Sequence, residues 1–320
     1  MRASAAVPGS CGELVQGVVD GGHFLVTCPI SWFAEATVWV ESRSGVFGPS
    51  DRPKALEAAR MVLERLGGAC GLRVRLRSPL PLGKGMASST ADIAATAAAA
   101  ARALGKELSP GEVASLALGI EPTDGVFFPG IVLFDHLTGR RLEFLGPAPA
   151  LKVLIVDPGG EVETISFNRR PELYRLNLAK EAEVRKALRL VREGMAEGDV
   201  VKVAKGATLS ALANQLILPK PELEPLIKVT ASCGALGVNV AHSGTVMGVL
   251  YRDGEADLEE LESRVRERFP YVRLSYAELV DGGIYPLSPR TANSDGGASS
   301  ERKRALRKAT RSSLVLGGSR

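Results

Sequence analysis

Along the first 140 residues the apolar positions switch between a period of two and helical spacing. Alternation rich in β-branched and aromatic residues predicts strands at His23–Thr27, Glu35–Glu41 and Leu72–Arg77. Between the last two, Leu56, Ala59, Val62, Leu63 and Leu66 recur on one helical face, which predicts a helix over Pro53–Leu66. A loop containing Pro79, Pro81, Gly83 and Gly85 then feeds a long alanine-rich helix, with Ser88, Ser89 or Thr90 as its N-cap, that stops near Gly105. Ser109-Pro110 opens another helix with proline at its first position. Gly125–Phe134 reads as a loop returning to a strand.

The pattern restarts after Gly146-Pro147-Ala148-Pro149 with a buried-type strand, Lys152–Val156. That break predicts two domains, 1–150 and 151–288. Helices follow at Leu178–Met195, Val200–Leu212 and Glu222–Cys233, then a strand pair, Gly237–Ala241 and Val246–Tyr251, around Ser243-Gly244. A charged helix, Asp257–Arg268, and a strand near Tyr271–Ser275 complete the series. No βαβ unit repeats, so the mixture predicts an α+β fold and not a doubly wound sheet. From Ser288 onward Ser, Gly, Arg and Lys dominate, which predicts a basic, disordered tail over 289–320.

Composition sharpens this picture at one point. The chain has 320 residues and a formal charge of +4, but residues 290–320 hold eight Lys/Arg against two acids. The remaining 32 basic and 34 acidic residues leave the body near neutrality, so basicity belongs to the tail. No aromatic residue is interleaved with those charges, which argues against nucleic-acid binding. Cys11, Cys28, Cys70 and Cys233 form no Cys-x-x-Cys pair, and reduced thiols in a cytoplasm are the expectation. The N-terminus lacks the apolar core of a secretory signal. The alanine stretch Ala91–Ala101 carries Asp92 and Thr96 and is too short to cross a bilayer, so no membrane partner is expected. His23, His136 and His242 lie far apart in sequence, which argues against a histidine-built metal centre.

Four segments carry candidate chemistry. In Pro79–Asp92 a glycine loop precedes a helix, so free backbone N–H groups and the positive end of the helix dipole meet at one point. Phosphate is the ligand such a loop suits. Lys84 would add charge and the Ser88 and Ser89 hydroxyls could ligate Mg²⁺, although Gly-Met-Ala separates the lysine from the serines, unlike a Walker A loop. A capped structural helix after a glycine turn reads equally from the same residues. In Glu121-Pro122-Thr123-Asp124-Gly125 two carboxylates three apart could share one cleft, one on a metal and one on a hydroxyl nucleophile; the same string is also ordinary turn chemistry. Pro8–Gly17, with Ser10, Cys11, Glu13 and Gln16, suits either a binding loop for a small polar ligand or an irregular, bulged strand. No histidine is placed by sequence to activate Cys11, so a packing or lining role is expected of it. Val238–Gly248 offers a second anion-facing turn, with His242 either a ligand contact or a structural histidine.

Taken in order, these segments resemble the motifs of the GHMP kinase superfamily, and the resemblance spans residues 1 to about 280. Pro8–Gly17 is similar to the first motif, which lines the substrate site; Pro81–Ala91 to the Pro-x-x-x-Gly-x-x-Ser-Ser-Ala phosphate loop; and Val240–Leu250 to the third, glycine-containing motif. The strings SCGELVQG, GKGMASSTAD, EPTDG and AHSGT look like those of the L-threonine kinases of cobalamin biosynthesis. The resemblance implies a two-domain α+β kinase whose active site lies in the cleft between domains, with ATP and Mg²⁺ as cofactors and L-threonine as acceptor. It places Asp124 on the threonine hydroxyl, to orient or deprotonate it. Pro81, Gly83, Lys84, Gly85, Met86, Ala87, Ser88, Ser89, Ser243 and Gly244 would hold the nucleotide. Ser89 and Glu121 would ligate the metal, and Ser10, Glu13, Gln16 and His242 would lie near the acceptor. Three features depart from the pattern: Glu121 stands only three residues before Asp124, the third motif lacks its second glycine, and Lys84, which could act catalytically by neutralising charge on the transferring group, stands where the wider superfamily usually has an uncharged residue. A kinase for another small alcohol, such as homoserine, and a non-catalytic relative that senses its metabolite are the rival readings. The sequence is silent on oligomeric state.

Overall fold

The computed structural model describes residues 1–67 and 70–287, so the expectation for the tail lies outside the described residues. The chain opens with two long antiparallel strands, β1 (Arg2–Val19) and β2 (Gly22–Glu41), joined at Asp20-Gly21, where both residues take positive φ. The segment Pro8–Gly17 is therefore strand, and it is irregular: register shifts fall between Pro8 and Ser10, Ser10 and Glu13, and Glu13 and Val15. The two strands predicted at His23–Thr27 and Glu35–Glu41 are one, β2.

A short β3 (Gly45–Phe47) runs parallel to β4 (Gly71–Arg77), with helix α1 (Pro53–Leu66) as the crossover. Helix α2 (Ser88–Ala103) is the centre of this half, with nearly every residue buried against β1, β2 and α1. Alanine permits this, because it is the strongest helix former and brings backbones together without long side chains. Its start differs from expectation. The N-cap is Ala87, held left-handed at φ 50°, and no side chain caps the helix. Helix α3 (Pro110–Ile120) begins as predicted, and Ser109 and Glu112 exchange the two bonds of a capping box. The chain returns through β5 (Ile131–Phe134), paired with β2, and β6 (Leu142–Gly146).

Strand β7 (Lys152–Asp157) begins the second half, followed by α4 (Thr164–Asn168), α5 (Leu173–Ala179), α6 (Glu181–Glu197), α7 (Val200–Asn214) and α8 (Leu223–Ala231). The single helix expected over Leu178–Met195 is broken at Lys180. Strands β8 (Gly237–Val240) and β9 (Met247–Tyr251), helix α9 (Leu258–Arg268), and strands β10 (Arg273–Glu278) and β11 (Tyr285–Leu287) complete the described chain. All strands join one sheet with the path β10-β7-β9-β8-β1-β2-β4-β3, while β11 pairs with β1 and β5 with β2. Among the described residues only β3 and β4 pair in parallel, as an α+β fold requires. The sheet is continuous across the break near residue 150, because Glu13 of β1 pairs with Val240 of β8. That crossing point, the bulged part of β1, also carries the polar residues singled out above.

Candidate functional site

The loop before α2 is held from three sides through its carbonyl oxygens. Val162 N–H donates to Gly83 O (2.8 Å), Thr245 and Val246 N–H to Lys84 O (3.1 and 3.2 Å), and Ser10 N–H to Met86 O (2.9 Å). In a trans peptide the following N–H points the opposite way, so the Lys84, Gly85 and Ala87 amides turn away from those partners. Gly85 takes φ 77°, and Gly244 lies against the face of the Lys84–Gly85 peptide, where an added Cβ would stand 2.2 Å from Gly85 N. With Ala87 left-handed and no side-chain cap, the first turn of α2 keeps its N–H groups for a ligand.

These amides border a cavity of about 500 Å³. Gly83, Gly85, Met86, Ala87, Ser88 and Ser89 line it, as do Glu121, Asp124, His242 and Ser243. Other residues expected at the site stand elsewhere. Pro81 is exposed and its neighbour Leu82 takes the lining position. Lys84 is spent on Asp157 of β7 (2.9 Å), tying the loop to the second half of the sheet. Gly244 supports the loop from behind, and Ser10, Glu13 and Gln16 form a buried layer behind the cavity wall.

Asp124 is placed by α2. Its N–H donates to Thr90 Oγ1 (3.2 Å), which also accepts from Thr123 Oγ1 (3.0 Å). The Thr90 proton is then left to donate, and donation to the Asp124 carboxylate opposes a rise in its pKa. The rise wins: burial first, then the charge of Glu121, pushes Asp124 up to about 7. Glu13 is raised well above the usual carboxylate range by burial and by Asp124, and its Oε2 has no partner among the described residues. Glu121 is buried and shares Oε2 with Lys54 Nζ (2.5 Å), while its Oε1 is unpartnered among the described residues.

Sequence reasoning missed the cation side of this site. Lys54 and Arg52, at the start of α1, pair with Glu121 and Asp92; the Arg52–Asp92 distance is 2.6 Å. A pairing between two helices leaves no local signal. It also missed that the three histidines meet. Ring centroids of His23 and His136 lie 6.1 Å apart and those of His136 and His242 4.9 Å apart, both edge to face. Among the described residues, no group of three or more His, Cys, Asp or Glu is placed to hold a metal ion. Burial and its histidine neighbour His23 push His136 down to about 4, and burial with nearby positive charge holds His242 well below the usual histidine value.

Behind the histidines, Lys180 Nζ donates to Asn214 Oδ1 (2.8 Å) and Gln16 O (3.4 Å), which turns the chain at the break between α5 and α6. Burial pushes this ammonium down to about 7. Between about 7 and the ordinary 10.5 the unfolded chain holds a proton that the folded chain has released, so folding gains as pH rises through that window. Lys180→Met is expected to abolish the gain. Melting scans in parallel should then show the parent's melting temperature rising relative to the variant's between about pH 7 and 9.5. A constant difference would count against the assignment.

Comparison with known proteins adds the following. The GHMP kinases N terminal domain model matches residues 53–128, and the GHMP kinases C terminal model matches residues 191–270. An L-threonine kinase of Salmonella typhimurium is 36% identical over 291 residues, covering 88% of this chain and 95% of that protein. The crystal structure of homoserine kinase from Cytophaga hutchinsonii superposes with a TM-score of 0.69 at 17% identity, covering 89% of this chain and 97% of the other. A protein designated MDDEF, solved in complex with MVAPP, AMPPCP and magnesium, gives 0.65 at 17% identity, covering 90% of this chain and 100% of the other. The fold expected from the sequence is thereby established, with the phosphate-loop half and the helical half each matched.

Proposed function

Because the chain belongs to the GHMP kinases, a family of ATP-dependent phosphotransferases, we propose that it is an L-threonine kinase. Its product would be O-phospho-L-threonine, the precursor of the aminopropanol linker of cobalamin. The observation that carries the acceptor assignment is the likeness to an L-threonine kinase along nearly that protein's whole length. In this reading residues 1–150 supply the phosphate loop and the reacting carboxylate, and residues 151–288 supply the wall bearing His242 and Ser243.

The geometry supports an in-line transfer that rests on positioning and charge. Amides of Gly83–Ser89 and the α2 dipole hold the triphosphate, and Ser243 closes the opposite wall. Asp124 orients the acceptor hydroxyl and takes its proton as the hydroxyl oxygen bonds to the γ-phosphorus and the bond from that phosphorus to the β,γ-bridging oxygen breaks, leaving ADP. Lys84 would add charge at the phosphates only by exchanging its partner Asp157.

The residues present fit Mg²⁺. Among the described residues Glu121 keeps one carboxylate oxygen unpartnered while the other is held by Lys54, and Ser88 and Ser89 bring hydroxyls to the same cavity. A single carboxylate, a hydroxyl and substrate phosphates are the donor set this hard cation takes. When bound, it neutralises charge on the phosphate oxygens. Glu121 and Ser89 would hold it.

The acceptor assignment is tested by ATP consumption with L-threonine, L-serine, L-homoserine, mevalonate and galactose. L-Threonine is expected to lead in kcat/KM by about tenfold or more, the discrimination one methyl group provides. A chain that consumes ATP with another alcohol in preference would retain its family and lose this acceptor.

A further inference from the structure

The wall of the cavity contains a histidine whose protonation is dictated from behind. Gln16 Nε2 donates to Val240 O (3.2 Å), so the atom 2.9 Å from His242 Nδ1 is Gln16 Oε1. An amide oxygen only accepts, which places the hydrogen of His242 on Nδ1. Burial and the positive groups around it keep the ring neutral, so that hydrogen is the ring's only one and Nε2 carries a lone pair. Gln16 is itself fixed: its N–H donates to Ser210 Oγ (3.0 Å) and its carbonyl accepts from Lys180. The imidazole nitrogens lie on opposite edges, so with Nδ1 turned to β1, Nε2 is turned away from it, on a ring that lines the cavity. Nε2 has no partner among the described residues, and His242 is only 8% exposed. An unpaired acceptor this deeply buried calls for a donor from a ligand.

We propose that Gln16 and His242 form the recognition site for the α-ammonium group of the acceptor, with His242 Nε2 accepting its N–H. The proposal rests on the reading of the site as an amino-acid kinase. A carboxylate offers no hydrogen to a lone pair. The acceptor hydroxyl belongs at Asp124, so of an amino acid's three polar groups only the ammonium remains. The rings of His136 and Phe167, whose centroids lie 4.9 and 5.1 Å from that of His242, give the same cation aromatic neighbours. Specificity for an amino acid over a plain hydroxy acid would then come from a tautomer, set by a residue the ligand does not touch.

The test compares L-threonine with 3-hydroxybutyrate, which keeps the hydroxyl and carboxylate and lacks the ammonium. His242→Phe preserves the ring and its aromatic neighbours. It is expected to lower the ratio of kcat/KM for L-threonine over 3-hydroxybutyrate by about 30-fold, through KM for L-threonine, the loss expected for one hydrogen bond to a charged group. Gln16→Leu, which frees the tautomer, should shift the ratio in the same direction by a smaller factor, with KM for ATP unmoved in both variants. Equal losses on the two acceptors, or a loss confined to kcat, would overturn the proposal. If the parent prefers a different amino acid, the acceptor assignment falls and the same ratio is read with that amino acid and its deaminated analogue. Preference for an acceptor without an amine overturns both.

Discussion

Asp124→Asn is expected to lower kcat by about 1,000-fold while KM for ATP changes by less than about threefold, within the range removal of a general base produces. The substitution is isosteric and leaves the backbone bond from residue 124 to Thr90 in place, so the loss is chemical. The carboxylate lines the same cavity as the phosphate loop, stands near Glu13 and Glu121, and is pushed up to about 7 by burial. Each property suits a group that takes a proton from an alcohol near neutral pH. Asp124→Ala separates two roles. If Asn falls as far as Ala, proton transfer carries the effect; if Asn keeps much of the rate, orientation of the hydroxyl carries it. Retention of full activity by both would remove Asp124 from the mechanism.

Gly244→Ala is the second large effect. A Cβ at 244 would stand 2.2 Å from Gly85 N and from Lys84 C and O, all backbone atoms. No side chain can swing aside, so the phosphate loop must move. KM for ATP should rise by about 30-fold or more, because amides displaced by about 1 Å lose their alignment. The melting temperature should fall by about 5 °C, from overpacking of 1–3 kcal/mol in a chain of this size. Gly111→Ala is the control. It lies in α3 with nothing within 4 Å of the added methyl, and should leave both quantities unmoved or slightly improved. A Gly244→Ala enzyme with normal affinity for ATP would show that the third motif does not support the loop.

What was legible in the sequence was local. Helix α1 matches its predicted bounds, because proline at the first position and one apolar face are signals within a single element. The glycine loop before α2 was legible in the same way. Strand β1 was legible only as one of two readings: three register shifts break its alternation and most of it is buried on both faces, so its polar residues suited a binding loop as well as the irregular, bulged strand that they form. The N-cap expected at Ser88–Thr90 is Ala87, since contacts from the distant Ser10 and Thr245 set the path of the loop and leave no local signal. The break at Lys180 and the row of three histidines come from contacts between distant segments, which leave no periodic trace. The histidines' separation in sequence carried no information about their separation in space. Lys84 illustrates the limit of a motif: its place in the loop was readable, and its partner Asp157, 73 residues on, was not.

The pairing of β1 with β11 has a consequence for biogenesis. Among the described strands, Ser4 to Ala6 find their last partners only in Tyr285–Leu287, so the first of these strands to be made waits for the last of them. The cavity wall needs β8 as well, since Gln16 is anchored on Val240. The wall therefore closes only after β8 has been made, long after the glycine loop. Contacts of such long sequence separation make folding slow, and the bulged strand stays uncovered meanwhile. Synthesis of the N-terminal half alone would yield the glycine loop without Val162, Thr245 and Val246, whose N–H groups hold its carbonyls.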